Sequence, residues 1–547
     1  MPSKPLSNSP LAVALAAVFL WCCPARAGDP TPTWEQLESR GAAIAGIDVK
    51  IINVFDKSQP ESKYWFAHVA DFIHIMTREE VVRGELLFKV GDHVDASKIH
   101  DTERALRYSL DIARDAYITP ERVEGDKVWA LVVFKDAWTL GLDLHYGHVG
   151  GQNRYTFRIH ERNFLGFGKG LLLSYEHTFE RNIEQVAYFD PQLFGSLWTL
   201  NMNYQKLSDG KARLFDVEKP FYSADTPWMV QMKVTDFLET LTLYNDTHSV
   251  YALRNHDTIA NLSAAWAYHV EGTSAFRIGA GFVVSQMSYF DPVVYRPGYL
   301  PPLALQDHRL RGPEVTWELF QGGFQNFNNM ASIGRSESFN LGWDVNAAAG
   351  IYSRSLGSAA SGPFFSASVT KGWRVGDDTL LVQNGGVTGR REDGVWRGGL
   401  LSEEATVYNQ SLPYQTLAGD VRVDLALRPD LENWLYLGGV DGMRGYPNHF
   451  EAGDRRWIAS FEDRVITPWS LWGLAQVGFV GFLDAGAIHA FDTRGFGKTY
   501  SDVGMGLRFG NLKSRVSQVL VVAIAVPLVT TQETKHVQIV VGNVVRF

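Results

Sequence analysis

Ala475-Gln476-Val477-Gly478-Phe479-Val480-Gly481-Phe482-Leu483-Asp484-Ala485-Gly486 is the stretch on which the fold class turns. At a period of two, one face carries Ala475, Val477, Phe479, Gly481, Leu483 and Ala485. The other carries Gln476, Gly478, Val480, Phe482, Asp484 and Gly486. Side chains alternate across a strand, so this reads as β-structure with one apolar face and one face of small and polar groups. The next run repeats the pattern: Val503, Met505, Leu507 and Phe509 oppose Gly504, Gly506 and Arg508. Near the C-terminus Val537, Ile539, Val541, Val545 and Phe547 share a face, with His536, Gln538 and Arg546 opposite.

Working outward, β-type runs recur from about Asp136 onward, separated by Gly, Asn, Asp or Pro clusters. Examples are 154–165, 170–179, 198–205, 228–237, 276–287, 417–427 and 457–466. No helical stretch of comparable strength interrupts them. An apolar side backed by a polar or small side suits a soluble sandwich, whose apolar face meets a core. It equally suits a membrane barrel, whose apolar face meets lipid. Periodicity alone does not separate the two. The size of the sheet region, its alternating terminal strand with Phe547, and the need to dispose of sheet edges favour closure into a barrel. Aromatics at strand ends, in Pro220-Phe221-Tyr222, Pro227-Trp228 and Pro468-Trp469, stand where an interfacial girdle would lie.

Composition agrees. The chain has 547 residues, 45% hydrophobic, 20% charged and 13% aromatic. Past residue 27 no apolar run approaches the ~18 residues of a membrane helix, and the aromatic content excludes a disordered chain. A formal net charge of −9 gives no electrostatic reason to expect nucleic acid as a partner. Lys4, the apolar 11–21 segment and Ala25-Arg26-Ala27 read as a cleaved secretion signal over 1–27. Cys22 and Cys23 would leave with it, and the mature chain would have no disulfide or thiolate site. A cysteine-free secreted chain suits a bacterial envelope protein.

After a linker over 28–46, residues 47–138 read as a small α/β domain. Ile47–Phe55 is a strand. Thr77-Arg78-Glu79-Glu80 is a capping box opening a helix with Val81, Val82, Leu86, Leu87 and Phe88. Ala96–Leu110 is a second helix, and two strands follow at 111–118 and 128–140, turned by Gly125-Asp126. The remainder, 139–547, is the barrel.

Several motifs then coincide. Val440-Asp441-Gly442-Met443-Arg444-Gly445-Tyr446 resembles the V-R-G-F/Y loop motif of the BamA/TamA outer-membrane assembly-factor superfamily, with Met443 where Val is usual. Phe482-Leu483-Asp484-Ala485-Gly486 is similar to that family's F-x-D-x-G strand motif, and Phe547 to its terminal aromatic. The N-terminal domain, with Leu87-Phe88-Lys89-Val90-Gly91-Asp92, resembles one POTRA domain. The resemblance implies a transmembrane antiparallel barrel of sixteen strands in a Gram-negative outer membrane, a periplasmic N-terminal domain, and loop six tucked into the lumen. The implied lock comprises Met443, Arg444, Gly445 and Tyr446. Strand parity turns Asp484 inward, and puts Glu462 and Arg464 on the polar side of 457–465. The family reading holds Arg444 on Asp484, with Glu462 as a further partner; a planar guanidinium suits two carboxylates better than an ammonium.

The implied activity is insertion of β-barrel proteins or passage of polypeptide across the membrane, without nucleotide hydrolysis or a cofactor. The partners are the bilayer and unfolded polypeptide, received at the POTRA sheet edge and at the seam between the first (139–149) and last (535–547) strands. Gly141, Gly147, Gly150, Gly151 and Gly542 are expected either to weaken that seam or only to relieve crowding there. A porin-like channel or a secretion pore for one partner is the alternative. Catalysis is not expected: G-x-S-x-G and H-E-x-x-H do not occur, and His145, His148, His160 and His177 read as scattered barrel histidines rather than a metal cluster.

Overall fold

The computed structural model describes residues 32–54, 74–108, 112–221, 226–297, 307–471, 475–491, 495–511 and 519–542. The expected signal peptide and Phe547 lie outside them. Small apolar residues and a capping motif start the N-terminal domain earlier than the hydrophobic pattern implied. Thr33 and Gln36 form a reciprocal capping box on α1 (Trp34–Ser39). The Trp34 indole donates to Ile118 O at 3.0 Å. There follow β1 (Ala43–Ile52), α2 (Glu79–Gly84), α3 (Ala96–Tyr108), β2 (Ala113–Glu124) and β3 (Lys127–Asp136). The sheet order is β1-β3-β2, with β1 parallel to β3 and β2 antiparallel to it. Leu37, Ile44, Val82, Ile99, Leu106 and Phe134 form its core. Much of the stretch expected as a linker therefore supplies a helix and the start of a strand to the core.

The capping box expected at Thr77 does not form. Arg78 is the N-cap of α2 and caps with no side chain. The Thr77 hydroxyl donates to Asp136 Oδ1 at 2.6 Å and accepts from Asn163 Nδ2 at 2.9 Å. A joint between domain and barrel has claimed it. Two tight turns of the barrel complete that joint. The turn at Phe164–Gly166 lets Gly166 O accept from Arg78 N at 2.9 Å, and the Arg78 guanidinium lies 3.7 Å from the Phe167 ring centroid. From the turn at Leu193–Gly195, Gln192 Nε2 donates to Val81 O at 2.9 Å and Glu85 Oε1 at 2.8 Å.

The remaining chain closes into an antiparallel barrel of twenty strands, not the sixteen that the family resemblance implied. The first is Leu140–Val149 and the last Gln538–Gly542. The sixteen-strand expectation left many residues for long loops. Several connections are instead two-residue turns, such as Asp246-Thr247 and Asp393-Gly394, with the positive φ that tight hairpins need. Strands absorb the residues so released: the seventh, eighth and ninth (Trp228–Asn245, His248–Glu271, Ser274–Val294) run to 18, 24 and 21 residues. The loop bearing Arg444 joins the fifteenth strand (Gln415–Leu427) to the sixteenth (Arg455–Leu471). It is the eighth connection at the end of the barrel distal to the N-terminal domain, not the sixth, so the four additional strands lie upstream of it.

Closure decides between the two architectures that periodicity left open. No second layer covers the outward residues: Leu144 is 69% and Met505 67% exposed, while Val480, Phe482, Asp484 and Gly486 are buried inside. A ring of uncovered Leu, Phe, Tyr and Val around a cylinder fits lipid, not water. Trp228 and Trp469 stand exposed at proximal strand ends, as a girdle requires. Phe221 does not join them, because it lies against the Arg277 guanidinium, 4.1 Å from its ring centroid; Tyr222 lies outside the described residues.

Candidate functional site

The distal loop 428–454 folds back into the lumen. A short internal ribbon, Leu435–Leu437 with Glu451–Gly453, forms its stalk. Its tip turns at Gly442, where φ is +126°. The left-handed backbone there lets Met443 N reach Gly438 O at 3.0 Å, and Tyr446 N reach Met443 O at 3.0 Å. Met443 and Tyr446 are fully buried and pack with Leu437, Phe450, Ile458 and Ile488.

This packing places the Arg444 guanidinium between two strands. Nε and Nη2 donate to Asp484 Oδ2 and Oδ1 at 2.7 and 2.6 Å, a two-point pair. Nη1 donates to Glu462, and Nη2 also to Ser460 Oγ at 2.9 Å. Phe482 lies beneath, its ring centroid 3.6 Å from the guanidinium carbon. Glu462 accepts in turn from Arg464 Nε at 2.7 Å. A Cβ on Gly486 would stand 3.1 Å from Met443 Sδ and 2.9 Å from Trp457 O. The strand motif thus divides its work: Phe482 stacks, Asp484 pairs, and Gly486 leaves room. Gly445 is similarly tight, since its Cβ would lie 2.5 Å from Asp502 Cβ. The structure brings together every expected lock residue among those it describes.

Sequence reasoning missed several partners. Arg456 donates to Asp424 Oδ2 at 2.7 Å and Asp441 Oδ1 at 2.9 Å, a second guanidinium clamp on the same loop. The signal was available: Arg456 shares the inward parity of Glu462 and Arg464. The Tyr446 hydroxyl sits 2.9 Å from Ser501 O and 3.0 Å from Val529 O. Asn448 Nδ2 donates to Val149 O, at the end of the first strand, at 3.1 Å. His449 stacks on Tyr244 at 4.1 Å, and burial lowers its pKa. At the loop's base, burial and the neighbouring Asp430 charge push Glu432 up to about 7, and it accepts from Tyr289 Oη at 2.7 Å.

The seam between first and last strands has one register pair among the described residues, Val541 with His148. Gly147 and Gly542 face each other there: a Cβ on Gly542 would stand 3.5 Å from Gly147 Cα. The other glycines expected at the seam serve elsewhere. Gly141 makes room for the His160 ring. Gly150 and Gly151 turn the chain at φ +61° and +78°, and Gly150 lies under Asn448. Among the described residues no group of His, Cys, Asp and Glu is arranged to hold a metal ion.

No family model and no curated protein matches the chain. Among solved structures it is similar to BamA from Haemophilus ducreyi lacking POTRA domains 1–3, at 14% identity and a TM-score of 0.42, over 91% of this chain and 84% of that one. It is similar to CdiB from Escherichia coli at 12% identity and a TM-score of 0.43, over 92% of this chain and 76% of that one. For CdiB from Acinetobacter baumannii the values are 11% identity and 0.40, over 92% and 73%.

Proposed function

We propose that the chain is a Gram-negative outer-membrane protein that inserts β-barrel proteins or passes polypeptide across the membrane, by strand exchange rather than catalysis. Its N-terminal domain then lies in the periplasm, and its distal loops face outward. The observation that carries this reading is the seam, where Gly147 of the first strand and Gly542 of the last stand backbone to backbone, a Cβ on Gly542 lying 3.5 Å from Gly147 Cα. Backbone groups freed on the first and last strands when the seam parts would be a template for an incoming strand. The glycines facing each other there offer no side-chain packing to oppose opening. Both β1 and β2 are edges of the N-terminal sheet and provide earlier pairing sites. The loop lock of Met443, Arg444, Gly445 and Tyr446 against Glu462, Phe482, Asp484 and Gly486 holds the resting conformation, and no cofactor or nucleotide enters the scheme.

The test is a reversible cross-link, His148→Cys with Val541→Cys, across the one observed pair. Oxidation should abolish assembly of other outer-membrane barrels and reductant restore it. Full assembly by the oxidised protein would refute seam opening. A secretion pore for one polypeptide or a porin-like channel is the second reading, favoured by a lumenal cavity of about 520 Å³ lined by Ser263, Thr316, Ser366, Ser368 and Thr388. Transport that persists in the oxidised protein selects it.

A further inference from the structure

The connection between the tenth strand (His308–Gln321) and the eleventh (Trp343–Tyr352) lies at the proximal end, yet it is no short turn. It forms a hairpin, Phe324–Asn328 paired with Ser336–Asn340, that turns inward across the lumen. On one side Phe327 and Met330 pack against Leu380, Tyr408 and Ala418 of the thirteenth to fifteenth strands. On the other, Ile333 joins Val480, Phe482 and Val519 of the seventeenth and nineteenth. Gly478 and Gly510 leave it room: Cβ atoms there would stand 2.6 and 2.1 Å from the Ile333 side chain.

The tip is built rather than loose. Glu337 accepts from Met330 N and Ser332 N, both at 2.8 Å, and Asn329 turns at φ +60°. Two buried barrel arginines read the tip's carbonyls: Arg464 Nη1 donates to Met330 O at 2.7 Å, and Arg508 Nη2 to Ala331 O at 2.7 Å. Arg464 also donates through Nε to Glu462, whose other oxygen holds Arg444. An unbroken ion-pair chain therefore runs from the distal loop through Glu462 and Arg464 to the proximal hairpin.

We propose that the 324–340 hairpin is a plug closing the proximal mouth of the lumen, and that the Glu462–Arg464 link couples its release to release of the distal loop. Arginine suits the coupling because its fork bonds two partners at once: with Arg444 gone, Glu462 has Arg464 as its remaining guanidinium and draws it away from the Met330 carbonyl it clamps. Gly322, Gly323 and Gly342 at its base supply the pivot.

The full chain, in planar bilayers, tests both parts. Deleting 324–340 should raise single-channel conductance about threefold, because the proximal lumen is then unobstructed. An unchanged conductance overturns the plug. With Cys22 and Cys23 changed to serine, Ser332→Cys, at a position 3% exposed, reports the tip to an impermeant maleimide. Labelling should be slow in this parent and about tenfold faster with Arg464→Met or with Arg444→Met. If the deletion forms no barrel, labelling of the parent as fast as of denatured chain overturns the plug in its place. An Arg444→Met variant as protected as its parent overturns the coupling, since Arg444 does not itself touch the hairpin.

Discussion

Truncating Arg444 to alanine isolates the energy of the loop lock. The guanidinium is 7% exposed and serves two carboxylates, of which Asp484 is fully buried and Glu462 6% exposed. After truncation the two do not suffer alike. Glu462 keeps Arg464 at 2.7 Å. Asp484 keeps the Ser460 hydroxyl and the long backbone contact from residue 444 at 3.4 Å. One carboxylate is thus left without its counter-ion, and the low end of the ~3–5 kcal/mol range for breaking a buried pair applies. About 3 kcal/mol weakens loop docking roughly a hundredfold. Arg444→Lys keeps the charge but cannot span both partners, and should recover only about 1 kcal/mol. Adding Asp484→Ala to Arg444→Ala should cost less than the two single losses together, because the second removes the orphan the first creates. Protease sensitivity of 428–454 and the temperature at which the folded barrel loses its anomalous gel migration measure these effects. An Arg444→Ala protein within about 0.5 kcal/mol of wild type by both measures would refute the lock.

Two further outcomes follow from the same network. Asp502 is fully buried and pairs across the ladder with Asp484, so two carboxyl groups lie side by side away from water. Two adjacent buried carboxyl groups do not both ionise, so Asp502→Asn, which replaces a neutral carboxyl, should leave the barrel within about 0.5 kcal/mol of wild type by heat modification, whereas Asp484→Asn destabilises it; a matching loss in both would show that Asp502 is a structural anion. Glu432, raised from 4.5 to about 7, holds its proton better in the docked loop than in a released one. Docking should therefore be firmest below about pH 4.5 and weaken as pH rises through about 7. Glu432→Gln should flatten the dependence of loop proteolysis over that window; an unaltered profile would place the titration elsewhere.

The parity of a strand is the most legible feature of this sequence, and it placed Asp484 and Glu462 correctly because neither strand carries a bulge near them: Ser460 to Asp463 pair in register with Asp484 to Gly481. Extending that parity to Arg456 would have found the second clamp. The plug left almost no trace. Phe324-Gln325-Asn326-Phe327-Asn328-Asn329 and Ser336-Glu337-Ser338 are not among the runs the alternation picks out, and their polar groups are satisfied by the barrel wall and not by a local pattern. Gln410 donates to Asn328 O at 2.8 Å, and Thr416 to Asn329 O at 2.9 Å. Such partners lie some eighty residues away, beyond any local signal. The count of strands failed for the opposite reason. Marking runs one by one suggests more than sixteen, and the family resemblance pulled that count down although two-residue turns needed no long loops.

The lock and the seam are also linked energetically. Tyr446 contacts Ser501 and Val529, on the side of the last strands, while Asn448 contacts Val149 at the end of the first. Two residues of one loop therefore touch both flanks of the seam, the eighteenth and nineteenth strands on one side and the first on the other. The distal end of the seam cannot part unless the grip at Tyr446 or at Asn448 is given up. Releasing the loop removes both at once. In the proposed scheme the buried guanidinium stands where one switch of partners would set how readily the barrel wall opens.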